Sequence, residues 1–106
     1  MSGPPAGSAA PGAAPAGAVL RRAVTIVNRR GLHARAAARF VKVAEQYDAE
    51  IMVAKDAMEV CGTSIMGLMM LAAAQGSTLE LRARGGEAAA ALAALGALVD
   101  QGFDET

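Results

Sequence analysis

The sequence predicts an α+β domain of two layers, with elements in the order β-α-β-β-α-β-α. Three observations carry that prediction. Short β-branched or alternating runs recur four times along the chain, as half-buried strands do. Three other segments repeat apolar residues at helical spacing. Strands with one apolar face need cover on one side only, so the helices belong together on that side. An open-faced sandwich and a ferredoxin-like arrangement share most of this order, and periodicity does not separate them.

The elements follow in sequence. Met1 to Ala18 holds only Ala, Gly, Pro and Ser after the methionine and has nothing to bury, so it is expected to be a disordered tail ahead of a domain at 19–106. It lacks the basic start and the apolar block of a secretory signal. Arg22 to Val27 is β-branched and predicts the first strand. Asn28 to Gly31 is polar and ends in glycine, which suits a turn. From Ala34 to Tyr47, Ala37, Phe40, Val41, Ala44 and Tyr47 share one face while Arg39, Lys42, Glu45 and Gln46 take the other, which predicts an amphipathic helix.

Glu50 to Lys55 is the second strand, and Asp56-Ala57 turns it into a third at Met58 to Cys61. Gly62-Thr63-Ser64 then leads into a second helix from Ile65 to Ala72, with Thr63 or Ser64 as its cap. Ser77 to Arg84 alternates cleanly and is the fourth strand. Beyond Gly85-Gly86, Glu87 to Gln101 predicts a last helix with Leu92, Leu95 and Leu98 or Val99 inward.

Composition narrows the function. The chain has 106 residues, one cysteine and one histidine, so neither a disulfide framework nor a multi-ligand zinc site is expected. No apolar run is long enough to span a bilayer, and a single Cys61, read as a small buried apolar residue, fits a reducing cytoplasm. Net charge is zero but unevenly spread. Arg21 to Lys42 holds seven basic residues and no acidic one; from Val43 onward there are three basic and ten acidic residues. A field of that kind draws an anion or an acidic partner surface, although Arg21 and Arg22 read best as a solvated strand end. With zero net charge, three aromatics and no KH-type loop, nucleic-acid binding is not expected. The stretch Gly62 to Gly67 lacks the Lys-Ser/Thr of a nucleotide-binding P-loop.

The positive half contains the only histidine, His33, in Asn28-Arg29-Arg30-Gly31-Leu32-His33-Ala34-Arg35. Alone, such a residue is more often a cap than a reacting group. Here it stands at a helix start, whose free N–H groups attract anions. Gly31 permits a tight turn before it, and Arg35 offers a guanidinium to a phosphoryl oxygen. A neutral ring nitrogen at that place is a nucleophile suited to phosphoryl transfer.

Gly31-Leu32-His33-Ala34-Arg35 ahead of an Ala-rich helix resembles the active-site motif of HPr, the histidine-containing phosphocarrier of the bacterial phosphotransferase system. Ser64-Ile65-Met66-Gly67-Leu68-Met69 is similar to the second signature of that family, and the resemblance extends over about Leu20 to Phe103. It implies an open-faced sandwich, a four-stranded antiparallel sheet with three helices on one face. It also implies a monomeric cytoplasmic phosphoryl carrier, not itself an enzyme, with no cofactor. His33 would accept a phosphoryl group on Nδ1 from enzyme I, charged by phosphoenolpyruvate, and pass it to a IIA-type protein; Arg35 would assist by charge. The chain departs from the common pattern at Ala36, where many relatives carry proline.

Ser64 corresponds by the same resemblance to the serine modified by HPr kinase/phosphorylase in some bacteria. Its local reading is an N-cap worth ~1 kcal/mol. The second helix has almost no polar face. Leu68 and Leu71 suit a core stripe, which leaves Ile65, Met66 and Met69 exposed as flexible apolar contacts for partners. Arg39 and Lys42 are the candidates for a basic contribution to the same docking surface. The competing reading is a non-catalytic regulatory module of the same fold, against which the His33–Arg35 pair argues.

Overall fold

The computed structural model describes residues 18–105, so all but the last residue of the expected tail lies outside the described residues. The elements are β1 (Leu20–Thr25), α1 (Ala34–Ala44), β2 (Glu50–Lys55), β3 (Met58–Cys61), α2 (Ile65–Met70), β4 (Thr78–Arg84) and α3 (Ala88–Asp100). A short C-terminal turn, Gly102–Asp104, follows. The predicted order stands, as an open-faced antiparallel sheet with three helices.

The four strands lie in the order β1-β4-β2-β3, with every neighbouring pair antiparallel. β4 and β2 are central, and their alternation shows why. Leu79, Leu81 and Ala83 of β4 and Ile51 and Val53 of β2 are buried, with Val24 of β1 beside them. On the other face Arg82 pairs with Glu80 and Glu59, and Arg84 with Glu50. The helices close the apolar side. Phe40 and Ala37 of α1, Leu68 of α2, and Leu95 and Val99 of α3 complete one core. Removing a fully buried aromatic such as Phe40 from such a core costs about 3–5 kcal/mol.

Several boundaries differ from the sequence reading, each for a physical reason. β1 runs from Leu20 to Thr25 rather than from Arg22 to Val27, because its register is set by β4, from Leu20↔Ala83 to Thr25↔Thr78. α1 ends at Ala44, and Gln46 and Tyr47 donate to carbonyls three residues back, which tightens the last turn out of α-geometry. α2 ends at Met70, because Leu71 and Ala72 also bond three residues back and Ala72 turns to φ 52°.

Cys61 is exposed, not buried as expected. It lies on β3, a four-residue edge strand with exposed residues on both faces. Arg22 is more than a solvated strand end. It is half-buried across α3, where Gly96 leaves room for its guanidinium, and it pairs with Asp100 at 3.3 Å.

Candidate functional site

His33 stands where β1 has ended and α1 begins, and local backbone chemistry fixes it there. Asn28 opens the loop: its carbonyl accepts from the Gly31 N–H at 3.2 Å, and its side-chain amide donates to the Gly31 carbonyl at 2.8 Å. Gly31 takes φ +68°, and a Cβ there would lie 2.5 Å from the carbonyl oxygen of Ala73. That close approach lets the Leu32 N–H donate to the same oxygen at 2.9 Å. The loop is thus stitched to the segment after α2, with Leu32 buried beneath it.

His33 occupies the N-cap position of α1, yet its side chain makes no capping bond. The first helical hydrogen bond runs from the Ala37 N–H to the His33 carbonyl at 2.8 Å. The N–H groups of Ala34, Arg35 and Ala36 precede it, the arrangement that favours an anion at a helix start. Ala36 itself is fully buried in the core.

The ring is 17 % exposed and meets a partner the sequence reading missed. Its Nε2 is hydrogen-bonded to the carboxylate of Glu105, 72 residues away. The other oxygen of Glu105 accepts from Asn28 Nδ2 at 3.0 Å, so one amide ties the loop and the C-terminal turn together. The bond from His33, followed by that from Asn28 and the positive charge of Arg30, holds the Glu105 carboxyl below its ordinary range against the opposing effect of burial. Arg39 reaches across to the carbonyl of Phe103. Phe103 is fully buried and anchors the turn. A signal for this contact exists in the sequence: Gly102-Phe103 is an apolar anchor beyond the helix end, followed directly by two acids.

On the far side of Glu105 opens a cleft of about 840 Å³ lined by Arg29, Arg30, Arg35 and Arg39 and by the acidic Asp100, Asp104 and Glu105; His33 itself is not on its wall. Among the described residues no ion pair engages Arg29, Arg30 or Arg35. Arg35 is therefore on the cleft that reaches the ring through Glu105, with Arg39 one turn further along α1. Lys42 is exposed in the last turn of the same helix.

The other expected residues gather on α2. Ser64 caps it, its hydroxyl accepting from the Gly67 N–H at 2.9 Å. Leu68 and Leu71 are buried, whereas Ile65, Met66 and Met69 are exposed, Met66 by 76 %. Met70, not singled out from the sequence, is exposed by 65 % and widens the apolar surface. No group of three or more His, Cys, Asp or Glu side chains among the described residues could hold a metal ion. No helix among them is long and apolar enough to cross a membrane.

The site has close counterparts. Residues 20–101 match the family model described as the PTS HPr component phosphorylation site. The chain is 45 % identical over 87 residues to the phosphocarrier protein HPr of Neisseria meningitidis serogroup A, covering 82 % of this chain and 98 % of the relative. It is equally identical over 86 residues to the phosphocarrier protein NPr of Shewanella violacea, covering 81 % and 94 %. Among solved structures, HPr-C-His from Thermoanaerobacter tengcongensis superimposes with a TM-score of 0.79 at 39 % identity, over 82 % of this chain and 98 % of that one. HPr of Bacillus anthracis does so with a TM-score of 0.74 at 40 % identity, over 77 % and 98 %. An alternating four-strand sheet, a histidine at a helix start and these relatives converge: the chain belongs to the HPr family, the phosphoryl carriers of the phosphotransferase system.

Proposed function

We propose that His33 is the residue that carries the phosphoryl group, received on Nδ1 from enzyme I and passed on to a IIA-type protein. One observation carries this reading: the ring stands at the N-cap of an eleven-residue helix without capping it, two residues ahead of Arg35 in the first turn. A dianionic group bonded there meets free N–H groups and positive charge. Arg35 supplies part of that charge. The chain acts as a monomeric carrier in the cytoplasm, its partner enzymes supplying the catalysis, and takes no cofactor and no nucleic acid.

Ile65, Met66 and Met69 form the apolar part of the docking surface, with Arg39 and Lys42 as its basic part; exposed methionines adapt to more than one partner. Ser64 is a regulatory phosphorylation site for an HPr kinase/phosphorylase. A phosphate there would add roughly −1.5 to −2 charge beside the docking helix and oppose an acidic partner. The carrier unit is residues 19–106, with 1–18 as a tail. The test is incubation of the full chain with enzyme I and phosphoenolpyruvate. A single acid-labile, base-stable label is expected on the wild-type chain and none on His33→Ala. A label that persists in the variant refutes the assignment.

A further inference from the structure

The arginine cleft holds more positive charge than the fold uses. Arg29 and Arg30 are neighbours on the loop before α1, and Arg35 and Arg39 stand four residues apart in α1. Like charges at that helical spacing repel and weaken a helix. Arg22, Arg82 and Arg84 each meet a carboxylate. Arg29, Arg30 and Arg35, by contrast, make no ion pair or side-chain hydrogen bond among the described residues. Arg39 bonds only to the neutral carbonyl of Phe103. Of the carboxylates on the wall, Asp100 is matched from outside the cleft by Arg22 at 3.3 Å. Four guanidiniums then stand against Asp104 and Glu105, an excess of two positive charges.

Asn28 adds an independent sign. It is 7 % exposed and lines the same cleft. Its amide nitrogen donates to the Gly31 carbonyl and to Glu105, so both hydrogens are used. Its Oδ1 has no partner, alone among the buried side-chain polar atoms of the described residues. A buried acceptor left without a donor is costly, and it marks a place for a donor from outside the chain.

We propose that this cleft binds a small molecule bearing a diphosphate group, at a site separate from His33. A guanidinium presents a planar fork that takes two oxygens of one phosphoryl group. One pair of arginines on the loop and one on the helix match two phosphoryl groups of a single ligand. A hydroxyl or a protonated phosphoryl oxygen of that ligand supplies the donor Asn28 lacks. At about 840 Å³ the cleft falls within the roughly 300–1,000 Å³ of small-molecule sites and exceeds what one phosphate fills. Its wall carries no aromatic side chain to stack on a nucleobase, so recognition rests on the phosphoryl groups.

The probe is inorganic pyrophosphate, titrated into the full chain at about 0.15 M ionic strength, where exposed charges more than roughly 8 Å apart are largely screened. Arginine Nε–H and backbone amide signals follow the binding. Saturable shifts are expected at Arg29, Arg30, Arg35, Arg39 and the C-terminal turn. Inorganic phosphate should bind at least about tenfold more weakly than pyrophosphate. Arg29→Gln combined with Arg30→Gln cancels the excess charge and should weaken pyrophosphate binding about tenfold or more. Both side chains are exposed, so an unchanged melting point is expected to show that the fold is kept. Arg84→Gln, on the open face of the sheet, should bind like wild type. His33→Ala should do so too, so this site stands or falls independently of whether that residue accepts a phosphoryl group. Shifts that do not saturate, equal affinity for phosphate, or full affinity in the double variant overturn the proposal. Loss of binding in His33→Ala overturns the separation of the two sites.

Discussion

Replacing Gly31 by alanine tests how the histidine loop is held. The backbone there has φ +68°, which costs an L residue roughly 1–2 kcal/mol. The new Cβ would also sit 2.5 Å from the Ala73 carbonyl oxygen and 3.0 Å from Ala74 Cα, both backbone atoms that cannot rotate away. Relieving such overpacking typically costs about 1–3 kcal/mol. The displaced carbonyl is the acceptor for the Leu32 N–H, and weakening that bond adds about 1 kcal/mol. The whole amounts to roughly 3–6 kcal/mol, a large share of the stability of a domain this size. At about 4–8 °C per kcal/mol, Gly31→Ala should melt roughly 12–48 °C lower by circular dichroism. Asparagine tolerates left-handed backbone, so Gly31→Asn should recover only the dihedral part. A melting point for Gly31→Ala within about 3 °C of wild type would refute the account of the loop as pinned by backbone contact.

Three further outcomes are expected. Ser64→Ala removes the cap that accepts from Gly67 and should cost about 1 kcal/mol, seen as a fall of roughly 4–8 °C in Tm, whereas Ser64→Asp keeps an acceptor and should restore most of it. Met66→Glu puts a charge on the most exposed methionine of α2, so transfer from enzyme I should slow while Tm stays within about 2 °C, because surface changes of this kind shift stability little. Equal transfer rates would remove Met66 from the docking surface. The third concerns pH. The Glu105 carboxyl is held below its ordinary value of 4.5, chiefly by the hydrogen bond from His33. A lowered folded value gives stability that is fully present above the unfolded value and is lost as pH falls through the folded one. The stability difference between wild type and Glu105→Gln in denaturant titrations should therefore hold from about pH 7 to about pH 5 and shrink towards about pH 3. A difference that grows on acidification would reverse the sign and defeat the argument.

Much of this was legible in the residues because the relevant patterns are local. Ser77 to Arg84 alternates without a fault and became a central strand, and the α2 stripe of Leu68 and Leu71 separated core from surface as periodicity demands. His33 and Ser64 were found as residues at helix starts, where a short stretch suffices to place them. What was missed depends on distance along the chain. Nothing near His33 announces Glu105, since their contact spans 72 residues and passes through a left-handed turn that local propensity disfavours. Cys61 misled for a related reason: a small apolar residue reads as core, but its strand ended up on the edge, and edge position is a property of sheet order. Arg22 likewise found its ion-pair partner across the fold, at Asp100 of α3, 78 residues further along the chain.

The bond from Leu32 to the Ala73 carbonyl has a consequence for traffic between proteins. It clamps the loop that presents the histidine to the segment leaving α2, and Leu32 and Leu71 are both buried at this seam. The proposed point of chemistry and the methionine face proposed for recognition are therefore tied to each other through this one backbone contact. A carrier visiting a donor and an acceptor in turn then offers each the same fixed spacing, like one key cut for two locks. No loop has to reorder at each visit, so little binding energy goes into conformational entropy and handover can keep pace with encounter.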